Sequence, residues 1–182
     1  SASGHLNRAS GTAPAVVGFS MELNPYAKYL GGQDARAVLA ATPGLLHQAV
    51  CQMSPEQIDA PTAPGKWSAR EMVAHLADCE LVFSFRLRQT LSEDVPVIQP
   101  FDQDRWARTY AAYDLPSALE LFRAARAWNL KLIGSLGEAD MEREMTHPER
   151  GTMIFRTVIE TMAGHDLNHL AQVQGYAERI TV

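Results

Sequence analysis

The chain carries only two cysteines, Cys51 and Cys79, in 182 residues, which is too few for a disulfide framework and wrongly spaced for a zinc-thiolate motif. Each falls within a helical pattern, so both are expected to be small buried thiols in a reducing, cytoplasmic compartment. Long apolar runs are also missing. None approaches the roughly 20 residues that cross a bilayer, because every helical candidate has a charged face, and a water-soluble protein with no membrane partner is expected. There is no excess of positive charge: 16 Lys and Arg stand against 21 Asp and Glu, for a net charge of -5. The basic residues are scattered, and this argues against a nucleic-acid partner. Internal repeats are absent, and no stretch alternates in the way of a strand.

What is present suffices for one core. A chain of 182 residues with 46% apolar content fits a single domain. Residues 1–20 are rich in Ser, Ala and Gly and lack the basic start and apolar stretch of a secretory signal. They read as a disordered leader or extension, with Met21 a candidate natural start and residues 21–182 the domain.

Four long helical segments follow. Asp34 caps a short segment to Ala41, and Thr42-Pro43 offers a second cap leading to about Met53. His47 lies off the apolar stripe and is expected in solvent. The proline-bearing stretch from Ser54 to Lys66 reads as a loop, after which Ser68-Ala69-Arg70-Glu71 forms a capping box and fixes the start of a helix to about Leu91. Glu71 is thereby a structural residue. Met72, His75, Leu76, Cys79, Phe83, Arg86 and Leu87 make one face of that helix. Val95 to Phe101 reads as a loop, and Asp102 caps a short helix ending near Tyr113. Asp114-Leu115-Pro116-Ser117 then opens a third long helix, with Asn129 a buried amide on its apolar face and Gly137 at its end. Glu138 to Arg143 adds a short turn. Residues Thr146 to Gly151 read as a loop that leaves His147 exposed, and Thr152 caps the last helix.

That last helix holds the chemistry. His165 and His169 are four residues apart on its apolar side, about one turn from each other, so a divalent ion can take two ligands from one rigid element. His75, on the apolar face of another helix, is the candidate third. A lone histidine on such a face is ordinarily a hydrogen-bonded core residue. Three imidazoles buried without partners would each cost on the order of 1–3 kcal/mol, and a shared metal removes that cost. Neutral imidazole suits zinc, nickel, iron or copper, and three ligands leave a position open to water or substrate. The H-E-x-x-H pattern of metalloproteases is not met, since Asp166 follows His165.

The combination Trp67-Ser68-x-x-Glu71-x-x-x-His75-Leu76-Ala77-Asp78 with Gly164-His165-Asp166-x-x-His169-x-x-Gln172 resembles the DinB-like superfamily of metal-binding bundles. Residues 101–106 and 146–151 are similar to segments of its YfiT branch, described as metal-dependent hydrolases or bacillithiol-type S-transferases. Four long helices joined by proline-bearing loops point to an all-α, antiparallel bundle with short extra helices, and the resemblance implies a four-helix bundle, often dimeric. It implies His75, His165 and His169 as ligands of zinc or nickel, with Cys79 left to packing. Asp78, Asp166 and Gln172 are candidate partners for the ligands' other ring nitrogens. The implied function is a metal-dependent enzyme on a small-molecule substrate, a hydrolase or a thiol S-transferase with a low-molecular-weight thiol as co-substrate. The alternative is a non-catalytic, stress-associated metal-binding or interaction bundle.

Overall fold

The computed structural model of the chain describes residues 22–178, so the expectations for the leader and for Met21 lie outside the described residues. Helix α1 (Ala27–Leu30) precedes α2 (Ala35–Cys51), α3 (Pro55–Asp59), α4 (Ala69–Ser92), α5 (Gln103–Ala107), a 3₁₀ turn at Tyr110–Ala112, α6 (Leu115–Gly134) and α7 (Glu138–Met141). A hairpin of β1 (Glu144–His147) and β2 (Gly151–Ile154) leads into α8 (Phe155–Glu178). Helices α2, α4, α6 and α8 form the four-helix bundle. Each of α2 and α4 packs against both α6 and α8.

Side-chain pairings give the directions. The Tyr176 hydroxyl at the end of α8 donates to the Trp67 carbonyl just before α4, and His75 meets His165, so α4 and α8 are antiparallel. Glu80 meets Arg126 while Ser84 meets Asn129, so α4 and α6 run the same way, joined by the long connection through α5. Helices α2 and α8 likewise run together: Thr42 reaches Asp166, and Leu45 and Gln52 line one cleft with Gln174 and Glu178.

The expected cap at Thr42-Pro43 does not form, and α2 continues through Pro43. Pro43 has no N–H for the Leu39 carbonyl. That carbonyl instead accepts 3.0 Å from Arg126 Nη1, and the Thr42 hydroxyl donates 2.8 Å to Val38 O. A bond from a neighbouring helix thus replaces the one proline removes. The capping boxes behave differently. Ser68 N donates to Glu71 Oε2 at 2.8 Å and Glu71 N to Ser68 Oγ at 3.2 Å, as the sequence indicates. A second box at Ser54 and Gln57 builds α3 inside the expected loop.

The expected loop and the Thr152 cap are replaced by the hairpin, with Met145 opposite Met153 and His147 opposite Gly151. Ile98 N donates to Thr146 O and Thr146 N to Pro96 O, both at 2.9 Å, so the preceding segment clamps the hairpin. Val95 takes a left-handed φ of 44° to make this turn, a strained state for a β-branched residue. His147 is buried there, not exposed, and its Nδ1 accepts from Glu149 N at 3.1 Å. Gly137 starts α7 instead of ending α6. Cys51 is exposed beside the exposed His47, whereas Cys79 is buried as expected.

A charged network ties the four helices together inside the core. Arg126, 1% exposed, uses all five N–H groups: Nε and Nη2 on Glu80 at 3.0 and 2.7 Å, Nη1 and Nη2 on Asp166 at 2.5 and 3.0 Å, and Nη1 on Leu39 O. Asn129 extends it, donating 2.7 Å to Glu80 and to Ser84 while its Oδ1 accepts from Arg88 at 2.9 Å. Asn129 is therefore the partnered buried amide expected of it. Burial alone would lower the Arg126 pKa, but Asp166 and Glu80 outweigh it and hold the guanidinium charged.

Candidate metal centre

The capping box at Ser68 sets the register of α4 and places His75 two turns into the helix, fully buried. His165 and His169 project from the middle of α8. Between them and the N-terminal segment, Gly164 allows close approach: a Cβ there would collide with the Tyr26 carbonyl oxygen and lie 2.8 Å from Tyr26 Cβ. The Tyr26 ring thereby sits edge-on to His165 at 5.1 Å between centroids.

The three histidines meet. Ring centroids lie 5.2 Å apart for His75 and His165, 4.7 Å for His75 and His169, and 4.4 Å for His165 and His169. His75 Nε2 and His165 Nε2 are 3.1 Å apart. Two imidazole nitrogens bound to one ion at ~2.0–2.1 Å with tetrahedral angles are about 3.3 Å apart, so this pair fits a shared ion; without one, the spacing is an N–H···N hydrogen bond.

The outer nitrogens also have partners. Gln172 Oε1 is 2.9 Å from His169 Nδ1. With the proton on Nδ1, Nε2 of His169 keeps its lone pair for an ion. The Tyr110 hydroxyl lies 3.4 Å from His75 Nδ1, and the Trp67 ring is 4.8 Å from the His75 ring. Burial is the main cause that lowers each histidine's pKa, to about 3 for His75; His169 further lowers His75, and His169 and His75 further lower His165, while Gln172 pulls His169 the other way. All three are neutral near pH 7, the state that binds metal.

Of the other candidates, Gln172 partners a site histidine. Asp166 instead faces Arg126, and Asp78 lines a separate small cleft with Ala74, Leu81 and Tyr113. Cys79 is closer than packing alone suggests: its Sγ is 3.5 Å from His75 Nε2, and His75, Cys79 and His165 offer donor atoms within 4.8 Å of one another. Burial is the main cause that pushes the Cys79 thiol well up. An open groove of about 630 Å³ reaches the cluster from the His169 side, lined by Trp67, Met72, Gln172 and Tyr176. Glu80 and Arg126 escaped the sequence reading, although both lie on apolar helix faces, Arg126 with Phe122 and Asn129, and Glu80 with Leu76 and Leu87.

The model of the DinB superfamily matches residues 39–173, a span that holds all three histidines. The chain belongs to the DinB superfamily. Among its relatives, a protein of Oceanobacillus iheyensis is 34% identical over 139 residues, covering 75% of this chain and 80% of the relative. One from Geobacillus kaustophilus is 32% identical over 151 residues, covering 81% and 84%. Both are provisionally named metal-dependent hydrolases. The solved structure of YfiT from Bacillus subtilis superposes with a TM-score of 0.75 at 26% identity, covering 80% of this chain and 85% of that one. That protein is described, again provisionally, as a metal-dependent hydrolase with an unusual four-helix bundle topology.

Proposed function

We propose that this DinB-superfamily protein is a metal-dependent enzyme whose ion, zinc or nickel, is held by His75, His165 and His169. The reading rests foremost on the convergence of three buried neutral imidazoles, with two Nε2 atoms 3.1 Å apart. A divalent ion there supplies Lewis acidity and lowers the pKa of a water or thiol beside it. The chain's own groups do the rest. Gln172 fixes the ring of His169, Trp67 and Tyr26 pack their rings against His75 and His165, and the groove admits a small molecule on the His169 side.

Two nucleophiles are compatible with this site. The relatives' names favour water, hence hydrolysis. Among the described residues, however, no carboxylate hydrogen-bonds to the cluster, because Glu80 and Asp166 are engaged by Arg126. A small-molecule thiol needs no protein base, since a metal ion deprotonates it outright, and this favours thiol transfer. Zinc- or nickel-loaded protein, assayed with a model ester and with a small thiol plus an aromatic halide, should show metal-dependent turnover that His169→Ala lowers at least 100-fold. Thiol consumption without ester cleavage identifies the transferase, and the reverse identifies the hydrolase. With neither, the bundle is not an enzyme of this class.

A further inference from the structure

Two arginines near the histidine cluster have no acidic partner among the described residues. Arg86 projects from α4 and Arg150 from the turn between β1 and β2, and neither forms an ion pair with a described residue. Their Nε atoms are two of the three buried side-chain polar atoms that lack a hydrogen-bond partner in the described structure. Arg86 donates one bond, Nη2 to Gln99 O at 3.0 Å, while among the described residues no acceptor meets Nε of Arg150. Burying an unpaired donor on a charged group is costly, and placing two guanidiniums in mutual reach adds repulsion: burial first, then Arg150, lowers the pKa of Arg86.

The position of the pair suggests its use. Arg86 Cζ lies 5.9 Å from the Phe83 ring, whose centroid is 6.1 Å from that of His165. Phe101 flanks the same guanidinium at 6.0 Å. Tyr26, Cys79 and His147 are within electrostatic reach of one or both arginines. The exposed Glu149 beside Arg150 is the acidic residue in reach of His147, and it pairs with neither arginine. The hairpin carrying Arg150 is held by its bonds to Pro96 and Ile98, so the turn is a built element.

We propose that Arg86 and Arg150 form a subsite for the terminal oxyanion, carboxylate or phosphate, of a small substrate whose other end lies at the histidine cluster. Guanidinium forks recognise such groups with paired, charge-assisted hydrogen bonds. The apolar rings of Phe83 and Phe101 bound the subsite. This deepens the metal-enzyme reading, on which it rests for the location of the reacting end alone; anion binding at the arginines needs no metal.

The test is calorimetric titration of the full-length protein at low salt with succinate, with neutral succinamide and with inorganic phosphate, both as purified and after chelation. Succinate or phosphate should bind before and after chelation, succinamide should not, and Arg86→Gln and Arg150→Gln should each weaken the anion at least tenfold. Arg150→Lys, which keeps the charge and lies in a surface turn, should lose less. The tighter of the two anions identifies the group recognised. Absence of anion binding, equal binding of succinamide, or unchanged affinity in both glutamine variants overturns the proposal. So does binding that vanishes on chelation, which would place the anion on the ion. A failed metal reading leaves succinate binding intact, and a failed arginine subsite leaves metal uptake intact.

Discussion

Arg126→Leu should destabilise the protein by about 3–5 kcal/mol, the range for breaking a buried ion pair from one side. This is a large share of the 5–15 kcal/mol that typically holds a domain. The loss exceeds that of the pair itself, because Glu80 and Asp166 remain buried with no cation between them. Burial already pushes Asp166 upward against the opposing pull of Arg126 and Thr42, so without the arginine it takes up a proton. The Leu39 carbonyl, left without a helical donor by Pro43, loses the Arg126 donor that replaces it. Urea unfolding at pH 7 measures the effect. Replacing Glu80 and Asp166 by leucine together with Arg126 should recover most of the loss, since apolar residues of similar volume substitute well for a buried ionic cluster. A single variant within 1 kcal/mol of the parent would show that the network holds nothing.

Acid should destabilise the metal-free protein progressively below about pH 6.5. Each site histidine has a folded-state pKa below its ordinary value of 6.5, because burial disfavours the charged ring. Below that value the unfolded chain binds protons that the folded chain refuses. Stability is therefore whole above about pH 7 and falls with acidification, by up to ~1.4 kcal/mol per pH unit for each histidine. For His75 the loss continues to about pH 3. His147 adds to it in the same direction, its pKa lowered by burial and then by Arg150 and Arg86. Denaturant midpoints at pH 8, 7, 6 and 5 should drop ever more steeply, and His75→Phe should flatten the decline. Equal midpoints from pH 8 to 5 would contradict the buried neutral triad.

How much of this was legible beforehand follows from the range of each interaction. The capping box at Ser68 and Glu71 is local, and so are the helical spacings that put His75, His165 and His169 on buried faces; those readings needed only short stretches of sequence. Pro43 misled because its rescue comes from Arg126, 83 positions away in sequence, a bond no local signal announces. The hairpin strands have four residues each, too few to show alternation, and they depend on pairing with residues 96–98. His147 was placed in solvent for the same reason. Arg126 and Glu80 did leave a trace, as charged residues on apolar faces. Their complementarity emerges only once α4 and α6 are known to run in the same direction. The unpaired state of Arg86 and Arg150 is likewise a fact of tertiary structure.

The central claim is that His75, His165 and His169 hold one ion between α4 and α8. Elemental analysis of the purified protein, repeated on His75→Ala, tests it most directly, because His75 is the donor that the other helix contributes. The parent should carry about one zinc or nickel per chain, and the folded variant should retain less than a tenth of that under the same dialysis. A parent protein that takes up no divalent metal, or a His75→Ala protein that keeps a full equivalent, would contradict the account.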